Sequence, residues 1–201
     1  MALQDLTITV KDIEIPFQIA EFLEEADRRI ENFKYPGRAM EFIPSDYNRV
    51  YCALVVIVNE GMTSGSNFCE WGSGFGVVTG LAALMEFASY GIELNRELVA
   101  EAQELLDEFD LDVELACGSF IPQDSQSVAD TMNDFAWLEV NAGSAHEELE
   151  IEPDEFDIIF AYPWPGEDRL LKKIFDKIAS VGALFLTYHG IDDIRLRRKV
   201  S

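Results

Sequence analysis

The run Glu70-Trp71-Gly72-Ser73-Gly74-Phe75-Gly76 constrains this chain more than any other segment. It puts glycines at alternate positions directly after the apolar segment Asn67 to Trp71 and directly before a second apolar segment that starts at Val77. Glycine adopts positive φ without a steric penalty and lets another group approach the backbone closely. Three of them at such a junction predict a tight turn from a strand into a helix, whose first N–H groups have no partner within the helix.

Short apolar segments and helical patterns alternate on both sides of that turn. Asn67 to Trp71, Gly91 to Leu94, Val113 to Cys117, Phe156 to Ala161 and Ala183 to Tyr188 each have the length and apolar character of a buried strand. Between them, Val77 to Ser89 is apolar nearly all round, and Asn95 to Phe109 puts Leu98, Ala102, Leu105, Leu106 and Phe109 on one face. Glu167 to Ser180 reads as a further helix, ended by Gly182. The alternation predicts an α/β fold with a mainly parallel central sheet flanked by helices.

Ahead of these elements, Leu6 to Val10 and Ile13 to Phe17 are partly alternating runs around Lys11-Asp12 and predict a small hairpin. Ile19, Phe22, Leu23, Ala26, Ile30 and Phe33 then recur at helical spacing up to Pro36-Gly37. Ser45 or Asp46 can cap a second helix that runs through Val50, Leu54 and Ile57 to Gly61. Gly118 to Glu155 is long for one connection, which predicts a helix around Ser127 to Phe135 and an irregular acidic stretch, with Glu147 to Glu155 a solvated loop. The expected organisation is one domain over residues 1–201, with the hairpin and helices of 1–60 covering a core formed by 61–201.

Composition limits what such a domain can do. At 201 residues and 48% apolar, the chain can bury one full core but not two of this kind. Cys52, Cys69 and Cys117 contain no CxxC pair, and Cys69 and Cys117 lie in strand segments, so buried thiols are expected. His146 and His189 stand outside any spaced Cys/His/carboxylate cluster, and no metal is assigned. Met1 to Val10 lacks the cationic and apolar succession of a leader, and no apolar run reaches the roughly 20 residues of a membrane helix. The expected location is the cytoplasm, away from membranes. A net charge of −23 repels a phosphate backbone, so nucleic acid is an unexpected partner. The same charge would steer a lysine-rich protein or a polyamine toward the surface, although a solvated acidic coat accounts for it without any partner and is the preferred reading.

The glycine spacing then separates two ligand chemistries. A dinucleotide fingerprint, GxGxxG, would need a glycine at position 77, where the chain has Val77. An acidic residue followed by GxGxG instead resembles the class I S-adenosylmethionine-dependent methyltransferases, over roughly residues 45 to 190. The resemblance implies a Rossmann-like three-layer sandwich with an N-terminal helical extension and a C-terminal hairpin, here abbreviated to one strand at Ile194 to Val200 or completed at its edge by Leu6 to Phe17. It implies that Glu70, Trp71, Gly72, Ser73, Gly74 and Gly76 bind the amino-acid portion of S-adenosylmethionine. Glu93, 17 residues beyond Gly76, can accept hydrogen bonds from both ribose hydroxyls. NAD-binding domains carry a similar acid, so Glu93 alone does not distinguish the cofactors. Leu94 is implied to pack on the adenine, with Ser119 and Phe120 beside it where the family often has an acidic residue.

After the fourth core strand, Tyr162-Pro163-Trp164-Pro165 stands where many amino-methylating members have Asn/Asp-Pro-Pro-aromatic. The resemblance makes Tyr162 and Trp164 the candidate catalytic residues, with Tyr162 also touching the cofactor. Tyr162 could offer its phenol oxygen to an acceptor, and either ring a π-face to the sulfonium or to a substrate cation. Pro163 and Pro165 would stiffen this platform, and with Asp46 and Tyr47 they are the candidate acceptor contacts. The alternative is a rigid turn that packs two aromatics into the core. Gly91 to Val99 and Phe42 to Asp46 are weakly similar to small lysine methyltransferases.

The implied activity is methyl transfer to an unidentified protein or small-molecule acceptor, with S-adenosylhomocysteine as product. Such a reaction needs positioning and exclusion of water and no nucleophilic side chain. The lack of a Ser/His/Asp set therefore weighs only against a hydrolase. Two other readings stay open: a non-catalytic S-adenosylmethionine-binding module, because Tyr162 and Ser119 depart from the family pattern, and an NAD-dependent dehydrogenase.

Overall fold

The computed structural model describes residues 2–33, 42–122, 145–190 and 193–201. Its elements run β1 (Leu3–Leu6), α1 (Phe17–Phe33), α2 (Tyr47–Asn59), β2 (Asn67–Trp71), α3 (Val77–Leu84), β3 (Ala88–Glu93), α4 (Arg96–Glu108) and β4 (Val113–Cys117). They continue with α5 (Ala145–Glu148), a 3₁₀ turn at Pro153–Glu155, β5 (Ile158–Ala161), α6 (Asp168–Ile178), β6 (Leu184–Tyr188) and β7 (Ile194–Lys199). The strands form one sheet in the order β1-β7-β6-β5-β2-β3-β4. From β4 through β6 all pairings are parallel, while β7 joins β6, and β1 joins β7, in antiparallel fashion.

Alternation along the strands divides the core between the two faces. Cys69, Trp71, Ile92, Ile159 and Phe185 pack with Leu170, Leu171, Ile174 and Phe175 of α6 on one face. On the other, Phe68, Ile158, Phe160, Leu184 and Leu186 meet Val50, Ala53, Leu54 and Ile57 of α2. Phe22, Leu23 and Ala26 of α1 cover Phe75, Leu81, Leu105 and Leu106 beyond them. All residues of β5 and β6 are buried, which is why both read as continuous apolar runs. Among the described residues no helix is long and apolar enough to cross a membrane.

Local chemistry sets the helix starts. Asp46 Oδ1 accepts the Arg49 N–H (3.0 Å) and Asn95 Oδ1 the Glu97 N–H (2.9 Å), so both residues satisfy a donor at the first turn. Asp46, one of the candidate acceptor contacts, is thus the N-cap of α2. Asp46→Ala is expected to cost about 1 kcal/mol of stability in urea unfolding. A wild-type midpoint would show that the cap contributes nothing.

Three expectations are corrected. Leu6 to Phe17 does not form a hairpin; Leu3–Leu6 pairs with β7 from Leu3↔Lys199 to Leu6↔Leu196, and residues 7–16 have no regular structure. The long-range partner wins because β7 would otherwise expose a row of unpaired backbone groups. The helix after the glycine turn stops at Leu84 instead of reaching Ser89; Met85 caps it, Glu86 takes φ +67° and β3 begins at Ala88. The acidic stretch carries α5 and a 3₁₀ turn, with Glu152 and Glu155 closing a reciprocal capping box. The helix expected around Ser127 to Phe135 lies outside the described residues.

Candidate active site

Parallel pairing brings the strand ends together. Trp71 stands opposite Ile92 on one side and Ala161 on the other, and Glu93 stands opposite Cys117. The loops after β2, β3, β4 and β5 therefore share one edge of the sheet. The chain reverses its direction of travel across the sheet between β2 and β5, the place where open α/β sheets form a ligand crevice. Backbone bonds hold the loops in register: Gly72 and Ser73 donate to Ile92 O (2.8 and 3.0 Å), and Gly118 donates to Glu93 O (3.0 Å).

Strand parity decides which candidates face that crevice. Glu70 points toward α3, and its Oε2 accepts from both Thr79 N (2.9 Å) and Thr79 Oγ1 (2.6 Å). Its Oε1 has no partner among the described residues. Burial, with the charge of Glu93 adding to it, pushes the Glu70 carboxyl up to about 8 despite the Thr79 bonds. Tyr47 lies near enough that the Glu70 charge helps raise its phenol, after the larger effect of burial. Glu93, on the same face, accepts from Gly74 N through Oε2 (2.9 Å) and from Asn95 N through Oε1 (2.8 Å).

The three glycines serve different ends. Gly72 (φ +73°) has nothing within 4 Å of an added Cβ, so it is the open position of the turn. At Gly74 (φ +53°) a Cβ would lie 2.2 Å from Cε2 of Phe42, whose ring also packs 5.2 Å from Phe75. Gly76 donates to Ser73 O and turns its Cα toward Ala102 and Leu106, where an added Cβ would lie 3.1 and 3.3 Å away. Gly76 thus permits the approach of α4, a packing role. Gly74→Asp, the obvious substitution to suggest from sequence, would strike Phe42 before any ligand and cannot discriminate between the two roles.

The rings of Trp71 and Phe120 lie on the opposite face. They stack on each other (4.7 Å, 7°) in the α6-side core, with Trp71 also tilted against Phe185. Ser119 is buried and its Oγ accepts the Ile121 N–H (3.1 Å). Leu94 is half-buried, and its carbonyl receives the Cys117 thiol (3.7 Å). At the β5 end, Tyr162 packs edge-on to Tyr188 (4.9 Å, 74°), Pro163 is buried and Pro165 exposed. Trp164 is 41% exposed. Sequence reasoning missed Phe42, Thr79 and Glu167 as site residues. A recess of about 470 Å³ lined by Glu21, Glu24, Glu25, Arg28, Glu108 and Phe109 lies between α1 and α4 and shares no residue with these loops.

A parallel sheet with this switch point, a glycine turn after its central strand and an antiparallel strand beyond β6 is the fold of the class I S-adenosylmethionine-dependent methyltransferases. Three solved structures make the comparison concrete. An RNA methyltransferase from Salinibacter ruber in complex with S-adenosylhomocysteine matches at TM-score 0.50 and 16% identity, over 78% of this chain and 92% of that one. An O-methyltransferase from Bacillus cereus, also with S-adenosylhomocysteine, matches at 0.53 and 16%, over 87% of this chain and 67% of that one. A methyltransferase from Geobacter sulfurreducens matches at 0.52 and 14%, over 94% and 92%. No family model and no curated protein matches the sequence.

Proposed function

We propose that the chain binds S-adenosylmethionine across the β2, β3 and β4 ends and moves its methyl group to an acceptor held at the β5 loop. The observation that carries this reading is the pair of carboxylates, Glu70 and Glu93, on one face at adjacent strand ends around the open position Gly72. Oε1 of Glu70 suits the cofactor's ammonium. Glu93 Oε1 and Oε2 each keep a lone pair beyond their backbone donors, which suits two ribose hydroxyls. The cofactor supplies a methyl group on a sulfonium. The chain has to hold, orient and keep dry, and Phe42 has to leave the Gly74 face if the cofactor's carbon chain is to pass there.

Isothermal titration with S-adenosylmethionine and S-adenosylhomocysteine tests the reading, and no binding at millimolar ligand would sink it. Glu93→Ala is expected to weaken binding by about 1.5–3 kcal/mol, through lost charge-assisted bonds. Unchanged affinity would put the pocket elsewhere. The non-catalytic module draws support from Tyr162 and Ser119, both already engaged in packing or turn bonds. Transfer of a labelled methyl to any acceptor excludes it. RNA, the substrate named for the Salinibacter neighbour, fits poorly with the charge of −23.

A further inference from the structure

The cofactor reading leaves one buried carboxylate without a role. The loop from Tyr162 to Glu167 leaves the end of β5 beside the glycine turn and bends through Gly166 at φ +98°. A reciprocal pair closes it: Trp164 N–H donates to Glu167 Oε2 (2.7 Å), and Glu167 N–H donates to Trp164 O (3.0 Å). Glu167 is only 5% exposed. Its second oxygen, Oε1, takes no hydrogen bond and no ion pair from a described residue.

The nearby basic side chains do not neutralise it. Lys172 (2.7 Å), His189 (3.5 Å), Arg197 (3.7 Å) and Arg195 (3.9 Å) all gather on the neighbouring Asp168. A buried carboxylate without a counter-ion is unfavourable, and burial pushes Glu167 up to about 7 against the effect of the Trp164 bond. The exposed indole of Trp164 stands on the same loop. A carboxylate oxygen without a partner among the described residues and an exposed indole within four residues complement an alkylammonium ion, through a charge-assisted hydrogen bond and a cation–π contact.

We propose that Glu167 Oε1 receives the cationic amine of the methyl acceptor, which makes the substrate class an alkylamine; the proposal rests on the methyltransferase reading of the same site. Within the ion pair, one ammonium N–H proton passes to the carboxylate. The nitrogen keeps the electron pair of that bond, Glu167 becomes a neutral acid, and the amine gains the lone pair that methylation requires. A loop staple, the competing role, needs only an acceptor at Oε2, which glutamine also supplies.

The test uses the full chain with ¹³C-labelled glutamate carboxyls, the Glu167 resonance being assigned by its loss in Glu167→Gln. Replacing sodium chloride by propylammonium chloride at equal ionic strength is expected to lower the Glu167 titration midpoint by about one unit. An unmoved midpoint overturns the proposal. No methyl transfer is involved, so a chain that fails to bind S-adenosylmethionine but shows the shift loses the methyltransferase reading and keeps the ammonium site. In the activity arm, alkylamines and phenols are offered with labelled donor. Glu167→Gln is expected to raise KM for the amine roughly tenfold or more, with cofactor affinity retained and melting temperature not lowered. Methylation confined to phenols, or a wild-type KM in the variant, overturns the proposal as well.

Discussion

Glu70→Gln is expected to make the protein more stable at pH 9 and a poorer binder of S-adenosylmethionine. Folding moves the Glu70 carboxyl from 4.5 to about 8, so between those values the folded chain holds a proton that the unfolded chain has released. Stability contributed by this group is complete below pH 4.5 and is lost as pH rises through 8. Glu167, raised to about 7, acts in the same direction over the lower part of the window. A glutamine at position 70 can accept both Thr79 bonds with its carbonyl oxygen and has no charge to bury. The variant should therefore match wild type near pH 5 and exceed it at pH 9 by about 2–4 kcal/mol. Urea unfolding across that range measures the difference, and parallel pH profiles would show that Glu70 is not the source.

The same carboxylate links cofactor affinity to pH in the opposite sense. A ligand ammonium at Oε1 requires the ionised form, so binding below about pH 8 must expel a proton. Affinity should rise with pH up to that value, and titrations in buffers of different ionisation enthalpy should report proton release near neutrality. Glu70→Gln should abolish both the pH dependence and the release. The two effects of one substitution illustrate how a binding site can hold a group at a cost to the fold.

Phe22→Ala is the second change expected to be severe, at about 3–5 kcal/mol. Phe22 is fully buried on α1, meets Phe109 edge-on at 5.2 Å, and points its Cζ at Gly80 in the middle of α3. A Cβ at Gly80 would lie 2.4 Å from that atom and 2.9 Å from Leu106 Cδ2. Gly80→Ala gains about 1 kcal/mol of helix propensity but forces a packed ring to move, which typically costs about 1–3 kcal/mol. Combined with Phe22→Leu, the alanine should become neutral or stabilising. A double-mutant cycle with no coupling would mean that the ring and the glycine are independent.

The sequence exposed those parts of the fold whose signals are local. β2 and β4 match the expected ranges at both ends: β2 is central and buried beyond Asn67, β4 is an edge strand with one buried residue, and polar or glycine residues bracket both. The end of α3 was hidden because Val77 to Ser89 has no proline or glycine near position 85, and the break falls on Glu86, a residue that seldom adopts positive φ. The pairing of β1 was hidden because it depends on a strand at the other end of the chain. At the candidate site, the strand–turn–helix junction from Glu70 to Gly76 was legible because the glycines mark it, while Glu93 comes beside it through the β2–β3 pairing. Trp71 could have been assigned to the core from parity alone, since adjacent residues of a strand face opposite ways. Phe42 and Glu167 owe their positions to tertiary contact and to a reach-back bond that no spacing rule announces.

The closure of the sheet by β1 has a consequence for how the chain is made. Val200 N–H donates to Ala2 O (3.0 Å), so the two ends of the described chain meet at one edge. On a ribosome, β1 emerges before the other strands of the sheet and its partner β7 after them, so the β1–β7 ladder can zip only after translation has passed the rest of the sheet. Until then the outer edge of β7 stays open to pairing with another chain. A circular permutant that joins residue 201 to residue 2 through a short linker and opens the chain at the exposed Gly61 turn would synthesise β7 and the edge strand β1 in succession. Its refolding yield should be less sensitive to concentration than that of the natural order.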